Sequence, residues 1–376
     1  MEIETQVLEE VVKDKNNLQE VKLTRRKIQS IKKDPEKSAK AVNLIYVTDK
    51  QPGIKRIKEE NNFIYKYKNK IIEDGVTLAR IKKLALPPAW ENVWICASEN
   101  GHLQATGIDS KGRKQYRYHS NWNEVRNQTK FFRMYEFGKM LPSVRLRLEK
   151  DIAKPNLTPE KVLATIVSLM ERTPIRVGNS NYEKQYGSFG LTTLKDKHVQ
   201  INGSELHFKF KGKKGVLHDI SIKSRRLANI VKRCRDIPGK ELFQYIDEDG
   251  KRRSVDSGMV NDYIKKISGG DFTTKDFRTW AGTLQTFIAF KELGTAETKK
   301  DTQKAIVSAM EMVAQHLGNT RNVCKKYYVH PALIELYESK SLQDYLSEIE
   351  NIEDDDNKTD LTKEEKMVMK ILETIK

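Results

Sequence analysis

Cysteine is scarce: Cys96, Cys234 and Cys324 are the three in 376 residues. They lie far apart, in no CxxC or Cys/His ligand spacing, which argues against a disulfide framework or structural zinc and predicts reduced thiols. Nowhere do about 18 apolar residues run together, so no membrane span is expected. The start, MEIETQVLEE, has neither the basic nor the apolar region of a secretory leader, so cytoplasmic residence is expected. A Walker loop, HExxH, GxSxG and the glycine fingerprint of dinucleotide sites are also missing, so no nucleotide, metal or other cofactor is expected.

Charge of one sign is abundant. Lys and Arg number 69 against 52 Asp and Glu, a formal charge of +17, so the expected partner is anionic. The distribution is uneven: from Glu338 onward twelve acidic residues face six lysines, so the rest of the chain is more basic than the whole. Such a body suits a phosphate backbone, and two roles are open for the acidic tail: to compete with phosphates for it, or, through its capped terminal helix, to dock on and stabilise the catalytic domain.

At roughly 100 to 200 residues per domain, the length allows two or three domains. Residues 1–43 read as a polar extension in which Val7, Leu8, Val11 and Val12 are only weakly periodic. Residues 44–122 change to short β-favouring runs, NLIYV, FIYKYK, VWICA, HLQATG and KQYRYH, separated by QPG, EENN, SENG and DSKG. A small antiparallel sheet domain is predicted there. Residues 123–338 read as helical. Thr158, Pro159 and Glu160 give a cap, a first-turn proline and an early acid, and Val162, Leu163, Ile166, Val167 and Met170 form one stripe. Within this domain LHFKFKGKKGVLHDISI alternates and turns at Gly212 to Gly215, a hairpin between helices. A second long helix runs through Ala305, Ala309 and Val313 to a stop at Gly318, and helix resumes near Pro331. Residues 339–376 form an acidic tail with a Thr362/Glu365 capping box opening a short helix. The fold class expected is α+β, a β-rich domain followed by a mainly helical one carrying a small sheet.

In the β-rich domain, Lys114, Gln115, Tyr116 and Tyr118 of KQYRYH combine a cation, an amide able to read a base edge and flat aromatic faces. Alternation places both tyrosines on one sheet face, which suits contact with DNA.

The segments ERTPIRVGNSNYEKQYGSFGLTTLKDKHV, FKFKGKKG, TTKDFRTWAGT and LGNTRNVCKKYYVHPALIELY occur in that order. Together with LALPPAWENVWI and GHLQATGIDSKGRKQYRYH upstream, they resemble the type IB DNA topoisomerases of the short poxvirus and bacterial branch. The resemblance covers Ile45 to Tyr337 and implies that family's catalytic fold. It also implies relaxation of supercoiled duplex DNA through a 3′-phosphotyrosyl intermediate, without ATP or metal, by a monomer. Tyr328, directly before Val-His-Pro, matches the nucleophile, with Tyr327 as rival. Arg176 in IRVGN and Arg278 in KDFRTW match the two transition-state arginines, planar and always charged. Lys213 in GKKG matches the general acid, with Lys214 as competitor. Asn319 stands nine residues before Tyr328, where poxvirus members carry histidine, and can donate a hydrogen bond but brings no charge. His316 and His330 are given structural roles.

Breaking a phosphodiester without a metal needs a nucleophile, cations around the nonbridging oxygens and an acid for the 5′ oxygen, and these residue types suffice. A tyrosine recombinase is the rival enzyme. It would carry a histidine three residues before the second arginine, whereas this chain has Lys275, assigned instead to DNA contact. A non-catalytic DNA clamp is the alternative from another class.

Overall fold

The computed structural model describes residues 27, 30–31, 34–60, 62–110, 112–349, 352 and 358–374. Val7, Leu8, Val11, Val12 and the acidic stretch Glu353 to Asp356 lie outside the described residues. The chain divides into two units, residues 1–132 and 133–376. No helix among the described residues is long and apolar enough to cross a membrane.

In the first unit, helix α1 (Pro35–Lys40) precedes a six-stranded antiparallel sheet. Its strands are β1 (Ile54–Glu59), β2 (Asn62–Tyr67), β3 (Lys70–Ile71), β4 (Glu91–Ile95), β5 (Leu103–Ile108) and β6 (Lys114–Tyr118), in the order β3-β2-β1-β4-β5-β6. Helix α2 (Gly75–Lys83) covers one side, capped by the Asp74 carboxylate, which accepts from Val76 N and Thr77 N. Ile54, Ile81, Val93, Ile95 and Ala105 fill the space between them. Arg56 fixes the proline-containing connection by donating to the carbonyls of Leu86, Pro87 and Trp90.

One local expectation fails here and one strand is unforeseen, both for physical reasons. NLIYV forms no strand beyond a bridge between Ile45 and Gly101, because Leu44 is drawn into a cluster with Ile31, Ala39, Val42, Trp122 and Val125. IKRIKE, too basic and too poorly alternating to stand out, is nevertheless a strand, zipped to β2 from Lys55↔Lys66 to Glu59↔Asn62.

Helix α3 (Ser120–Ile152) leads into the second unit, which is mainly helical. At its centre α4 (Pro159–Arg172) is capped by Thr158 and buried from Lys161 through Met170. A buried aliphatic side chain is worth ~1.5–3 kcal/mol, so this helix fixes whatever its ends carry. After α5 (Ser180–Tyr186) comes a three-stranded antiparallel sheet of β7 (Val199–Asn202), β8 (Glu205–Lys211) and β9 (Leu217–Lys223). The hairpin β8–β9 closes at Lys211↔Leu217, as its glycines foretell, while β7 is a further strand on its outer side. Next come α6 (Arg225–Arg235), the short pair β10 (Gln244–Ile246) and β11 (Arg252–Ser254), and α7 (Ser257–Ser268).

Helix α8 (Thr274–Leu293) opens with a reciprocal Thr273/Asp276 capping box, and α9 (Lys299–Leu317) stops at Gly318, whose φ of 58° is left-handed. A short helix α10 (Arg321–Tyr327), not foreseen from the pattern, precedes α11 (Pro331–Glu338). In the tail, α12 (Leu342–Ile349) and α13 (Lys363–Thr374) are amphipathic and bury Leu342, Leu346, Ile349, Met367, Val368, Ile371 and Leu372. Thr362 and Glu365 form the expected box at the start of α13.

Candidate active site

Arg278, in the second turn of α8, is 9% exposed. Its Nη1 donates to Pro174 O at 2.6 Å, just past the end of α4, and its Nη2 to Leu317 O at 2.7 Å, the last residue of α9. One guanidinium thus ties together the ends of two helices. Arg176, two residues after Pro174, donates from Nη2 to Gly318 O at 3.3 Å and to Asn319 Oδ1 at 2.9 Å. Both cations therefore rest on adjacent carbonyls at the C-terminus of α9, the negative end of that helix. Neither pairs with a carboxylate among the described residues.

This anchoring leaves a specific remainder. Arg176 Nη1, Arg278 Nε and Asn319 Nδ2 are buried and have no hydrogen-bond partner. Buried donors left unpaired cost on the order of 1–3 kcal/mol each, so three on touching or neighbouring side chains mark a place prepared for an acceptor. Electrostatics agree. Burial, followed by the charge of Arg278, pushes the Arg176 guanidinium down to about 10. Burial likewise lowers Arg278. Two cations held together out of water favour an anion with several oxygens.

Tyr328 sits at the C-terminal end of α10, half-buried, its N bonded to Cys324 O at 2.9 Å. Its ring centroid lies 5.5 Å from the Arg278 guanidinium carbon. Helix α8 also provides its seat: Thr283 Oγ1 donates to Tyr328 O at 3.1 Å, and a Cβ on Gly282 would fall 2.7 Å from that same oxygen. Only glycine lets the tyrosine backbone come this close to the helix. Cys324, fully buried, anchors α10, and burial pushes its thiol up to about 11. Tyr327 is 44% exposed, with Lys326 Nζ 5.5 Å from its ring centroid.

Lys213 stands in the β8–β9 turn, its Nζ 5.8 Å from the Tyr182 ring centroid in α5. The next residue, Lys214, takes a left-handed φ of 62°. The root of this hairpin adjoins the arginines through His218. That imidazole is buried and stacked on Phe210 at 4.9 Å, and a Cβ on Gly318 would lie 3.4 Å from its Cε1. Burial, then the charges of Arg176 and Arg278, lower the basicity of His218.

Of the residues singled out from sequence, Arg176, Arg278, Asn319 and Tyr328 gather at one point, and Lys213 occupies the adjoining hairpin. Lys275 is exposed in the first turn of α8, one turn before Arg278. His330 caps α11, its Nδ1 accepting from Ala332 N. His218, Gly282 and Thr283 were not singled out. The inward parity of His218 on β9 and the lone glycine inside the α8 pattern were the available signals.

In the first unit, Lys114, Gln115, Tyr116 and Tyr118 lie along β6, an edge strand. Tyr116 and Tyr118 stack at 6.0 Å and 6° on one face, with Lys114 Nζ 5.7 Å from the Tyr116 ring centroid. Lys114 also pairs with Asp49 at 2.5 Å, and Gln115 Nε2 donates to Asp109 at 2.8 Å. Any base-edge reading by Gln115 must therefore exchange an existing bond.

Comparison with known proteins gives the family. Residues 119–358 match the family model described as eukaryotic DNA topoisomerase I, catalytic core, and residues 62–109 match bacterial DNA topoisomerase IB, N-terminal domain. The DNA topoisomerase 1B of Acanthamoeba polyphaga mimivirus is 35% identical over 297 residues, 76% of this chain and 88% of the relative. That of vaccinia virus (strain Copenhagen) is 26% identical over 300 residues, 77% of this chain and 89% of the relative.

Proposed function

The chain belongs to the type IB DNA topoisomerase family, and on that premise we propose which of its residues carry the reaction and that they need neither ATP nor metal. The enzyme relaxes supercoiled duplex DNA through a transient 3′-phosphotyrosyl single-strand break. In the proposed assignment the Tyr328 hydroxyl attacks a backbone phosphorus, a Tyr–O–P bond forms, the P–O5′ bond breaks and the tyrosyl proton passes to water. Lys213 gives its proton to the departing 5′ oxygen, which would otherwise leave as a strongly basic alkoxide. The free 5′ end turns about the intact strand, driven by torsional strain. Its hydroxyl then attacks back, returning the proton to Lys213 and the tyrosine to its starting state. The two steps exchange one phosphoester for another, so no external energy source is required.

Arg176, Arg278 and Asn319 bind the nonbridging oxygens, where charge develops. What carries this reading is the set of three buried, unpaired donors, Arg176 Nη1, Arg278 Nε and Asn319 Nδ2, beside Tyr328. Donors already fixed by Pro174, Leu317 and Gly318 need no reorganisation as the transition state forms. Lys275 and the β6 residues Lys114, Gln115, Tyr116 and Tyr118 contact DNA, supported by their exposed cations and stacked aromatic faces. The proposed reaction calls on no residue from a second copy of the chain, which is compatible with the monomer that the family resemblance implies. Three free, buried cysteines suit a reducing compartment such as the cytoplasm.

Supercoiled plasmid incubated with the protein in EDTA without ATP tests the reading. Positive and negative supercoils are both expected to relax. An absolute requirement for magnesium would sink the metal-free chemistry, and binding without relaxation would leave only a DNA clamp.

A further inference from the structure

Helix α13 begins at Lys363, beyond residue 358 where the catalytic-core family match ends. Its first turn nevertheless reaches the support of the active site. Glu365 is 2% exposed, and its carboxylate is satisfied on both oxygens. Oε1 accepts from Trp280 Nε1 at 3.0 Å and Arg145 Nη2 at 2.8 Å. Oε2 accepts from Arg145 Nη1 at 2.9 Å and Thr362 N at 3.0 Å. Burial acts to raise this carboxyl, but the hydrogen bonds and charge of Arg145 outweigh it and keep the group below its ordinary value.

The partner matters because of where it stands. Trp280 lies two residues after Arg278 on α8, about 200° around the helix at its 3.6-residue period, so it anchors the opposite face. The indole is 4% exposed and lies against Gly138 of α3, where a Cβ would come 2.6 Å from its Cη2. Phe137 packs edge-on to Phe277 at 4.9 Å, on the other side of Arg278 in sequence. Aromatic packing holds the helix laterally. The Glu365–Trp280 bond adds a directional stop.

We propose that Glu365 is a positioning residue for the transesterification: by holding the Trp280 indole N–H and Arg145 together, it fixes the rotation of α8 and so the aim of Arg278. The inference rests on the assignment of Arg278 to the scissile phosphate. Of the two roles open for the tail, this one makes its last helix part of the catalytic support.

The test uses the full chain. Glu365→Gln keeps side-chain size but removes the charge and turns an N–H2 toward groups that are themselves donors. At saturating enzyme, its plasmid relaxation rate is expected to fall about ten-fold, the ~1.4 kcal/mol of one misplaced hydrogen bond, with the Kd for a duplex oligonucleotide unchanged. The same substitution made in Arg278→Lys should slow that variant no further, since a residue acting through Arg278 has nothing left to align. Trp280→Phe, which removes the indole N–H but leaves Glu365 on Arg145, is the second variant and should show the same non-additivity. It decides the matter if Glu365→Gln lowers Tm too far to fold. Equal slowing in both backgrounds, or an unchanged rate for both variants in the wild-type background, overturns the inference. A wild-type rate for Arg278→Lys alone would instead remove the site assignment and this inference with it.

Discussion

Arg176 donates from Nη2 to Oδ1 of Asn319 at 2.9 Å, and this bond decides which end of the Asn319 amide remains for a ligand. Turned the other way, the amide would set its N–H2 against the guanidinium N–H, donor against donor. With the oxygen committed to Arg176, Nδ2 is left buried and unpartnered beside the two cations. On the proposed assignment, a neutral side chain serves at this position because Arg176 orients it and the arginines supply the charge.

Asn319→Ala is accordingly expected to slow single-turnover adduct formation about 10- to 100-fold, the worth of one hydrogen bond to a charged oxygen. Asn319→Asp should be slower still, because a carboxylate there would neutralise Arg176 and repel the phosphate, and it should raise Tm in the absence of DNA by supplying the missing counter-charge. Wild-type rates for Asn319→Asp would show that no donor is needed at this position.

Tyr328→Phe should abolish both relaxation and the covalent adduct while Tyr327→Phe keeps them, since the Tyr328 ring lies 5.5 Å from the Arg278 guanidinium carbon. Gly282→Ala tests the seat. The added methyl would meet Tyr328 O at 2.7 Å and its Cβ at 2.8 Å, so α10 must shift. A displacement of this size is expected to reduce adduct formation on the order of 100-fold with DNA affinity kept. Adducts formed by Tyr328→Phe but lost in Tyr327→Phe would reverse the assignment.

Much of this site was legible because its residues sit in short ordered motifs, and much of the fold because periodicity was strong. The α4 stripe, the hairpin glycines and the Gly318 stop all fall where the pattern put them. What escaped was set by distant packing. The strand Ile54–Glu59 carries too many cations to read as one, and NLIYV surrendered Leu44 to a helical cluster. Nothing local in Glu365 distinguishes a capping-box acid on a surface tail from one buried against Arg145 and Trp280. Likewise, the carbonyls of Pro174, Leu317 and Gly318 that hold the arginines have no side-chain signature.

Acid should weaken the fold through histidine before carboxylates titrate. His102, His198 and His218 are buried, and burial lowers each below 6.5; for His218 the arginines lower it further. In the unfolded chain these rings gain protons near 6.5, whereas in the folded chain they resist until a lower pH. The unfolded state therefore binds more protons in that window. Stability is fully present above about 6.5 and is lost as pH falls through the depressed folded values, ~1.4 kcal/mol per unit of depression. Tm should drop between pH 7.5 and 5, less steeply in His218→Gln. Identical slopes for the two proteins would mean that His218 takes up its proton in the folded state as easily as in the unfolded one.

Lys213 is tested by changing the leaving group. It stands in the hairpin turn with Lys214 beside it in a left-handed conformation. If Lys213 protonates the 5′ oxygen, Lys213→Ala should cleave slowly a duplex carrying a mapped cleavage site. Replacing the bridging 5′ oxygen with sulfur makes the leaving group a far weaker base that needs no acid, and the variant should regain most of its rate. Arg176→Ala and Arg278→Ala should regain less, because in the proposed assignment their donors serve the nonbridging oxygens, which the substitution leaves unchanged. Rescue of Lys214→Ala but not Lys213→Ala would move the acid one residue along the turn. Rescue of neither would leave Lys213 as a DNA contact and require another proton donor at the site.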